Sequence, residues 1–253
     1  MTGRQAPAGT QAVNRTLDVL ECFLADPRLG VTEVAGQLEL SPSTAHRLIR
    51  ALVARGYLEQ EPDRGQYTLG PNAALFGQVV RRHFEFDRVL AVLERIGDQT
   101  GESINMGLLD GSEVVVAARV PSPQPLRFEQ PVGTRLLPHC SSMGKALLAF
   151  EAPNGPSSID ELELVAVTDR TITDHRRFAD ELASVRERGY SSDDEESIIG
   201  VSCVGAPILN RAGRAKAALA IQAPTARLSQ ERAVELAELV RAAAVEIGAV
   251  YPE

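Results

Sequence analysis

The sequence predicts an α+β protein: an N-terminal winged helix-turn-helix, a linker helix, and a C-terminal antiparallel-sheet domain with helices packed on it. Three observations carry this. Leu40 to Gly56 spells a helix with both ends marked and two chemically different faces. After the Thr100-Gly101 pair the apolar period changes from 3.6 to 2. Strand-like segments then recur in pairs separated by turn residues, and a final long helical pattern closes the chain.

In the first segment Val13, Leu17, Leu20 and Leu24 form an apolar stripe from about Ala12 to Ala25, ended by Asp26-Pro27. Thr32 reads as the cap of a short helix whose buried face is Val31, Val34, Ala35 and Leu38, with Glu39 and Leu40 as the turn. Glu39 stands where such turns usually place glycine, and a left-handed backbone there costs on the order of 1 kcal/mol. Ser41 is a good N-cap, and Pro42 suits the first helical position, where a missing N–H costs nothing. Ala45, Leu48, Ile49, Leu52 and Val53 then share one stripe. Two short helices and a tight turn make a helix-turn-helix, whose second member lies in the DNA major groove. Tyr57–Gln60 and Gln66–Leu69, around the turn signal Pro62-Asp63-Arg64-Gly65, read as the wing.

The outer face of the second helix carries Ser43, His46, Arg47 and Arg50, with Thr44 beside them and no carboxylate between Glu39 and Glu59. A charge run is ordinarily a solvated face. The flanking helix and wing argue for a phosphate backbone and base edges instead, with Arg64 at the wing tip. The net charge of −8 excludes nucleic-acid coating by bulk charge. Residues 1–70 carry a net of only −1, and residues 40–58 a net of +3, so a local cationic surface stands in a mildly acidic protein.

Gly70-Pro71 breaks the chain before a linker helix marked by Ala74, Leu75, Gln78, Val79 and Arg82. Phe86, Val89, Leu90, Leu93 and Ile96 mark another helix. Ser103–Leu109 and Glu113–Val120 around Asp110-Gly111-Ser112 read as a hairpin. Five prolines make 121–138 mostly loop and edge strand. A capped helix follows Ser141-Ser142, a short helix covers Ile159–Val165, and a longer one covers Arg176–Arg188 up to Gly189. Gly200–Pro207 and Ala215–Ala223 are two apolar strands, and Ser229–Val250 is the final helix.

At 253 residues two domains are the default, and 44% hydrophobic residues suffice for folded cores. The boundaries read as a disordered tail 1–11, a DNA-binding domain 12–70, a linker helix 71–84 and a domain 85–253. No apolar run reaches the ~18 residues a membrane span needs. Cys22, Cys140 and Cys203 are odd in number and widely spaced, which excludes a disulfide framework and fits a reducing cytoplasm. No catalytic signature is present. His139, Cys140 and His175 lack the spacing of metal ligands, and Lys145 beside Gly144 lacks the glycine spacing of a phosphate loop, so no cofactor or metal is expected. Cys203 sits in an apolar strand and reads as a core or pocket residue, not a reactive thiolate. Asp193-Asp194-Glu195-Glu196 reads as a solvated turn for all but Asp193.

Four stretches together resemble the IclR family of bacterial transcriptional regulators: Leu38–Leu52, Gly144–Ala149, Gly189-Tyr190 with Asp193 and Glu195-Glu196, and Gly200–Ile208. The likeness runs from Val13 to the final helix. It implies a GAF-like effector domain and a homodimer or dimer of dimers. It further implies a regulator, a repressor rather than an activator, whose affinity for a double-stranded DNA operator is modulated by a small organic acid. The family's ligand pocket would fall on Ser141, Ser142, Met143 and Gly144, on Asp193 and Cys203, and on Ala220 and Gln222. Family members that resemble sensors of small oxo-acids often carry Ser at the last two positions. Ala220 removes a hydroxyl and Met143 adds apolar volume, which points to a larger or more apolar acid. The rival readings are a small-molecule-binding enzyme and a sensor without DNA binding. The latter is disfavoured because the cationic face has no apolar anchor of the kind protein interfaces use.

Overall fold

The computed structural model describes residues 10–62, 64–83, 85–151 and 158–250. The chain forms two compact units that divide between His83 and Phe84. Both parts of the expected α+β class are observed.

The first unit runs α1 (Gln11–Ala25), β1 (Leu29–Gly30), α2 (Val31–Gln37), α3 (Pro42–Ala54), β2 (Leu58–Gln60), β3 (Gln66–Leu69) and α4 (Pro71–His83). Residues 1–9 of the expected tail, and Asp63 of the wing turn, lie outside the described residues; Gln11 already belongs to α1. The caps of α3 are those the sequence calls for: the Thr44 N–H donates to Ser41 Oγ at 3.3 Å and Pro42 opens the helix. Its inner face, Ala45, Leu48, Ile49 and Leu52, closes on Val19, Phe23, Val34 and Tyr67. Glu39 is left-handed at φ 52°, and the Leu40 N–H donates to Ala35 O at 2.9 Å across the turn.

Three expectations for this unit are corrected. On α1, Val13, Leu17 and Leu24 are exposed, and the buried residues are Val19, Cys22 and Phe23. Both sets have helical spacing, so periodicity alone does not choose between them. Thr32 is no cap: α2 begins at Val31, and the Gly30 N–H donates to the Glu33 carboxylate at 2.6 Å. The wing is also one strand richer, because β1 pairs with β3 through Leu29↔Tyr67 to give the order β1-β3-β2. Two residues are too few to display a period.

The second unit runs α5 (Phe86–Thr100), β4 (Ser103–Asp110), β5 (Glu113–Val120), β6 (Arg135–Leu136), α6 (Ser142–Ala149), α7 (His175–Arg188), β7 (Ser191–Asp194), β8 (Val201–Leu209), β9 (Ala215–Pro224) and α8 (Gln230–Val250). Its six strands form one antiparallel sheet in the order β6-β5-β4-β9-β8-β7. Alternation along each strand gives the sheet two faces. Ile104, Met106, Val204, Ala206, Leu219 and Ile221 pack under α5 and α8. On the other face α6 sets Met143, Ala146 and Leu147 against Leu109, Val114 and Ala218, and Phe178, Leu182 and Val185 of α7 form a further cluster with Ala149.

The short helix expected over Ile159–Val165 is only a 3₁₀ turn, Ile159–Glu161. Beyond it Leu162 and Leu164 are buried while Glu163 and Val165 are exposed, so the segment is extended and anchors every second residue. Tyr190–Asp193, left without an element in the sequence, supplies the edge strand β7.

The reading of the acidic run as solvated fails at Glu196. Its side chain is buried, and Lys145 Nζ, itself 1% exposed, donates to Glu196 Oε1 at 2.6 Å. Glu181 stands 3.6 Å from the same ammonium and accepts from Arg188 at 2.8 Å. Glu196 Oε2 has no hydrogen-bond partner. Burial pushes the Glu196 carboxyl up to about 7; Lys145 pulls against that, and Asp193 and Glu181 add to it. The folded chain therefore binds more protons than the unfolded one between the ordinary glutamate value of 4.5 and about 7. Stability contributed by this group is present at low pH and is lost as pH rises through that window. From about pH 5.5 to about pH 7.5 the parent is expected to lose about 2 kcal/mol relative to Glu196→Gln in urea unfolding; equal slopes for the two proteins would show that Glu196 does not titrate there.

Candidate functional site

The outer face of α3 begins where its cap ends. Ser43 is exposed, with its hydroxyl 3.1 Å from Ser41 Oγ. Thr44 is half-buried and shares a 2.8 Å hydrogen bond with Ser41 Oγ, so its hydroxyl is tied into the cap. His46, Arg47 and Arg50 follow on the exposed side, and Arg64 is exposed beside Gly65 in the wing. Among the described residues none of these four side chains has a hydrogen-bond or ion-pair partner. In the second unit Arg95, Arg135, Arg170 and Arg227 each pair with a carboxylate. Unpaired guanidiniums beside a helix N-terminus suit an anionic polymer: the backbone N–H groups and dipole attract phosphate, and the planar forks match phosphate or a guanine edge.

The second candidate site is built by strand register. Residues directly opposed in an antiparallel ladder put their side chains on the same face. Asp193↔Cys203, Cys203↔Gln222 and Gln222↔Ser103 make one row across β7, β8, β9 and β4. Ser191↔Gly205, Gly205↔Ala220, Ala220↔Asn105 and Asn105↔Arg119 make the adjacent row, extended to β5. Both rows lie on the face covered by α6.

The first turn of α6 sits against these rows because two glycines allow it. A Cβ on Gly144 would stand 2.2 Å from the Pro138 backbone, and one on Gly205 would stand 3.1 Å from the Ser142 backbone. Ser141 caps α6 by accepting from the Gly144 N–H at 3.2 Å. Ser191 Oγ donates to Ser142 O at 2.6 Å, fastening the turn to β7.

Between the turn and the sheet is a small hollow with room for about one water-sized group. Ser141, Ser142, Met143, Asp193, Cys203, Ala220 and Gln222 all line it. Gly144, the remaining residue expected there, does not; it gives the close approach and a cap bond. Met143 lines the hollow, yet its sulfur would meet a Cβ on Gly107 at 3.0 Å, so part of its volume fills the core beneath. Asn105, Gln130, Leu136 and Ser197 complete the lining and were missed in the sequence. Asn105 is legible only through its register with Ala220, and Gln130 lies in the proline-rich loop, where no period marks it.

The hollow's chemistry is mostly neutral and polar. Asn105 Nδ2 donates to Gln222 Oε1 at 3.1 Å. Asp193 is 1% exposed and folded onto the turn that follows it, accepting from the Glu196 N–H at 2.8 Å and from Ser197 Oγ at 2.7 Å. Burial raises the Asp193 carboxyl above the usual aspartate range, and these hydrogen bonds pull it back in part. Burial also raises the Cys203 thiol well above its ordinary value, with Gln222 and Ser142 as hydrogen-bonding neighbours, so it is a neutral thiol. His139 and His175 spend their Nε2 atoms on Val165 O and Leu162 O. Among the described residues no cluster of three or more His, Cys, Asp or Glu side chains is placed to hold a metal ion.

Comparison with known proteins gives these two sites a context. The model of the IclR helix-turn-helix domain matches residues 12–62, and that of the bacterial transcriptional regulator IclR C-terminal domain matches residues 78–249. The HTH-type transcriptional regulator BhcR of Paracoccus denitrificans is 35% identical over 247 residues, covering 97% of this chain and 88% of that protein. The transcriptional repressor IclR of Escherichia coli is 30% identical over 251 residues, covering 97% and 92%. Among solved structures, an IclR homologue from Microbacterium hydrocarbonoxydans complexed with 4-hydroxybenzoate superposes with a TM-score of 0.78 at 26% identity, covering 94% of this chain and 98% of that one. Its sequence, its fold and these relatives agree: the chain belongs to the IclR family of bacterial transcriptional regulators.

Proposed function

We propose that this protein is an operator-binding repressor released or retained by a small organic acid held in the hollow beneath α6. The observation that carries the DNA half is the unpaired, exposed cationic face of α3 in an otherwise acidic protein. In this reading α3 enters the major groove. Ser43 and Thr44 contact phosphate or bases at the helix start, His46 and Arg47 read base edges, and Arg50 and Arg64 hold the backbone. Residues 12–70 are then the DNA-binding domain, 71–84 the linker helix and 85–253 the effector domain. Repression is supported by relatives named as repressors, among them the acetate operon repressor of Salmonella typhimurium at 30% identity.

The acid half is supported by the buried, largely neutral polar lining and by the organic acid complexed with the Microbacterium homologue. Because Cys203 is a neutral buried thiol and the lining holds no oriented base beside a nucleophile, the site binds and performs no chemistry.

Two copies of the chain acting on a near-palindromic operator account for a further feature. Leu75, Phe76, Val79 and Val80 of α4, and Val13, Leu17 and Leu24 of α1, are large apolar side chains left exposed. Such stripes are costly in water unless a second surface covers them, and a second copy of the chain supplies that surface with two-fold symmetry. The described residues contain no helix long and apolar enough to cross a membrane. In this reading the protein acts where its DNA operator is, in the cytoplasm.

Three outcomes are expected. On an operator selected from a random duplex pool, Arg47→Ala weakens binding by about 1–3 kcal/mol in a gel shift and relaxes preference at one base position; parent-like binding would remove Arg47 from the contact set. In titrations with and without operator, an effector acid and the DNA alter each other's affinity by the same factor, and Asp193→Ala removes the effect of the acid while leaving operator binding without acid within about twofold. Leu75→Glu combined with Val79→Glu shifts the protein toward monomer in sedimentation velocity.

A further inference from the structure

The hollow beneath α6 is closed. With room for about one water-sized group it takes nothing larger until one of its walls moves, so the walls can be ranked by what holds each in place. The sheet, including Leu136 on β6, is fixed by its ladders. The α6 turn is fixed by its steric contact with Pro138 and by the bond from Ser191 Oγ to Ser142 O at 2.6 Å. The turn after β7, which carries Ser197, is held by main chain and buried charge together. Its Glu195 N–H donates to Val201 O at 3.1 Å, the Thr225 N–H donates to Gly200 O at 2.9 Å, and Glu196 is paired with Lys145.

The wall that remains is the segment 123–130, which brings Gln130 to the hollow. Its flanks are fastened. On one side Ser122 Oγ donates to Gly101 O at 2.7 Å; on the other the Gly133 N–H donates to Val116 O at 2.8 Å, with Gly133 at φ 90°. Between them, among the described residues, no hydrogen bond from main chain to main chain involves residues 123–130, and Pro123 and Pro125 have no N–H to donate. The segment belongs to none of the hydrophobic clusters of the second unit. Leu126 is 68% exposed, Phe128 is half-buried, and Gln130 is the one buried residue.

Side chains reaching from other elements hold this segment down. Arg227, in the turn before α8, donates from Nη1 to Leu126 O at 2.9 Å. Its Nε and Nη2 fork onto the carboxylate of Glu102 at 2.8 and 2.6 Å, and Glu102 is 2% exposed. Arg232 braces the same turn by donating to Arg227 O at 2.8 Å. Ser103 Oγ donates to Phe128 O at 3.3 Å, and Arg119 of β5 reaches Glu129 at 3.1 Å. A bidentate pair on a buried carboxylate is a rigid mount, yet the mount grips the segment by a single hydrogen bond. Segments with few buried apolar contacts and no main-chain ladder open well below the global unfolding free energy.

We infer that residues 123–130 form a strap that gates the hollow, swinging between Ser122 and Gly133 and latched by Arg227 at Leu126 O and by Arg119 at Glu129. Glu102 is a positioning residue for the first latch. The strap admits whatever the hollow takes, so the inference does not depend on that molecule being an acid.

Cys203 lines the hollow as a buried thiol and so reports its opening. Full-length protein is exposed under native conditions to methyl methanethiosulfonate at mildly alkaline pH, and modification of Cys22, Cys140 and Cys203 is followed separately by peptide mass spectrometry. Cys140 is buried outside the lining and reports any wider opening of the second unit. The expected result is that Arg227→Gln speeds Cys203 by about tenfold and Arg119→Gln by about threefold, the second tie being the more exposed. Cys140 keeps the parent's rate in both. Thr168→Val, which removes a hydroxyl that donates to Glu195 O in the turn after β7 at 2.7 Å, leaves Cys203 at the parent's rate, as does Arg95→Gln. Arg227→Gln strands the buried Glu102, whereas Arg119→Gln leaves Glu129 with Arg127, so the second variant carries the test if the first unfolds. Parent-rate labelling of Cys203 in the folded arginine variants would overturn the strap. Equal acceleration of Cys140 and Cys203 would overturn it too, because the whole unit would then be opening. Faster labelling in Thr168→Val alone would move the gate to the turn after β7. The acid-effector reading is decided separately, by the titrations with and without operator.

Discussion

The second unit depends on how closely a helix can be laid on a sheet. The first turn of α6 lies against Pro138 on one side and β8 on the other, with separations that admit hydrogen but no methyl at Gly144 and leave little room for one at Gly205. That approach creates a narrow space roofed by the first turn of α6 and floored by two rows of side chains. It also drives Lys145, one position further along α6, into the interior, where it must find carboxylates. A buried ammonium without a partner would cost far more than the folding free energy can spare. The acidic turn after β7 answers that need, and in doing so it fixes Asp193 and Ser197 at the edge of the hollow. One steric condition thus links cap, ion network and ligand space.

The arginines of α3 and the wing are used differently from those of the larger unit. In the larger one, guanidiniums close onto carboxylates from distant parts of the chain, as Arg227 does with Glu102 and Arg95 with Glu246. Such pairs pin loops and helices in place, and most are exposed enough to be worth little individually. In the smaller unit Arg28 pairs with Glu61, but among the described residues Arg47, Arg50 and Arg64 have no partner. Keeping like charges unpaired on one face is mildly unfavourable for folding, and it leaves their full hydrogen-bonding capacity for something outside the protein.

Much of this was legible in the residues. Caps and turn glycines mark α3, α5, α7 and the β4–β5 hairpin, because their chemistry is local: Ser41, Gly101, Gly189 and Gly111 each satisfy a backbone demand within a few positions. What was misread depends on partners far away in sequence. α1 has two apolar stripes, and only packing against α3 decides which is buried. Glu196 looks like one more carboxylate in an acidic run until Lys145, 51 residues earlier, is found beside it. Asn105 and Gln130 enter the lining of the hollow through strand register and a loop return, neither of which leaves a periodic trace. Asp193 and Cys203 were accessible because short motifs carry them, and the residues of the α6 turn and of β9 because the family resemblance places them.

The position of β7 has its own consequence. It is an edge strand of four residues, laddered on one side only, to β8. Asp193 is therefore presented by an edge segment with few main-chain bonds to lose, and edge segments of this kind open locally at a small fraction of the global unfolding free energy. A ligand that contacts Asp193 would act as a clasp on a selvedge, and exchange of the Ser191–Asp194 amide hydrogens would then slow on occupancy more than exchange of those at the centre of the sheet, in β4 and β9.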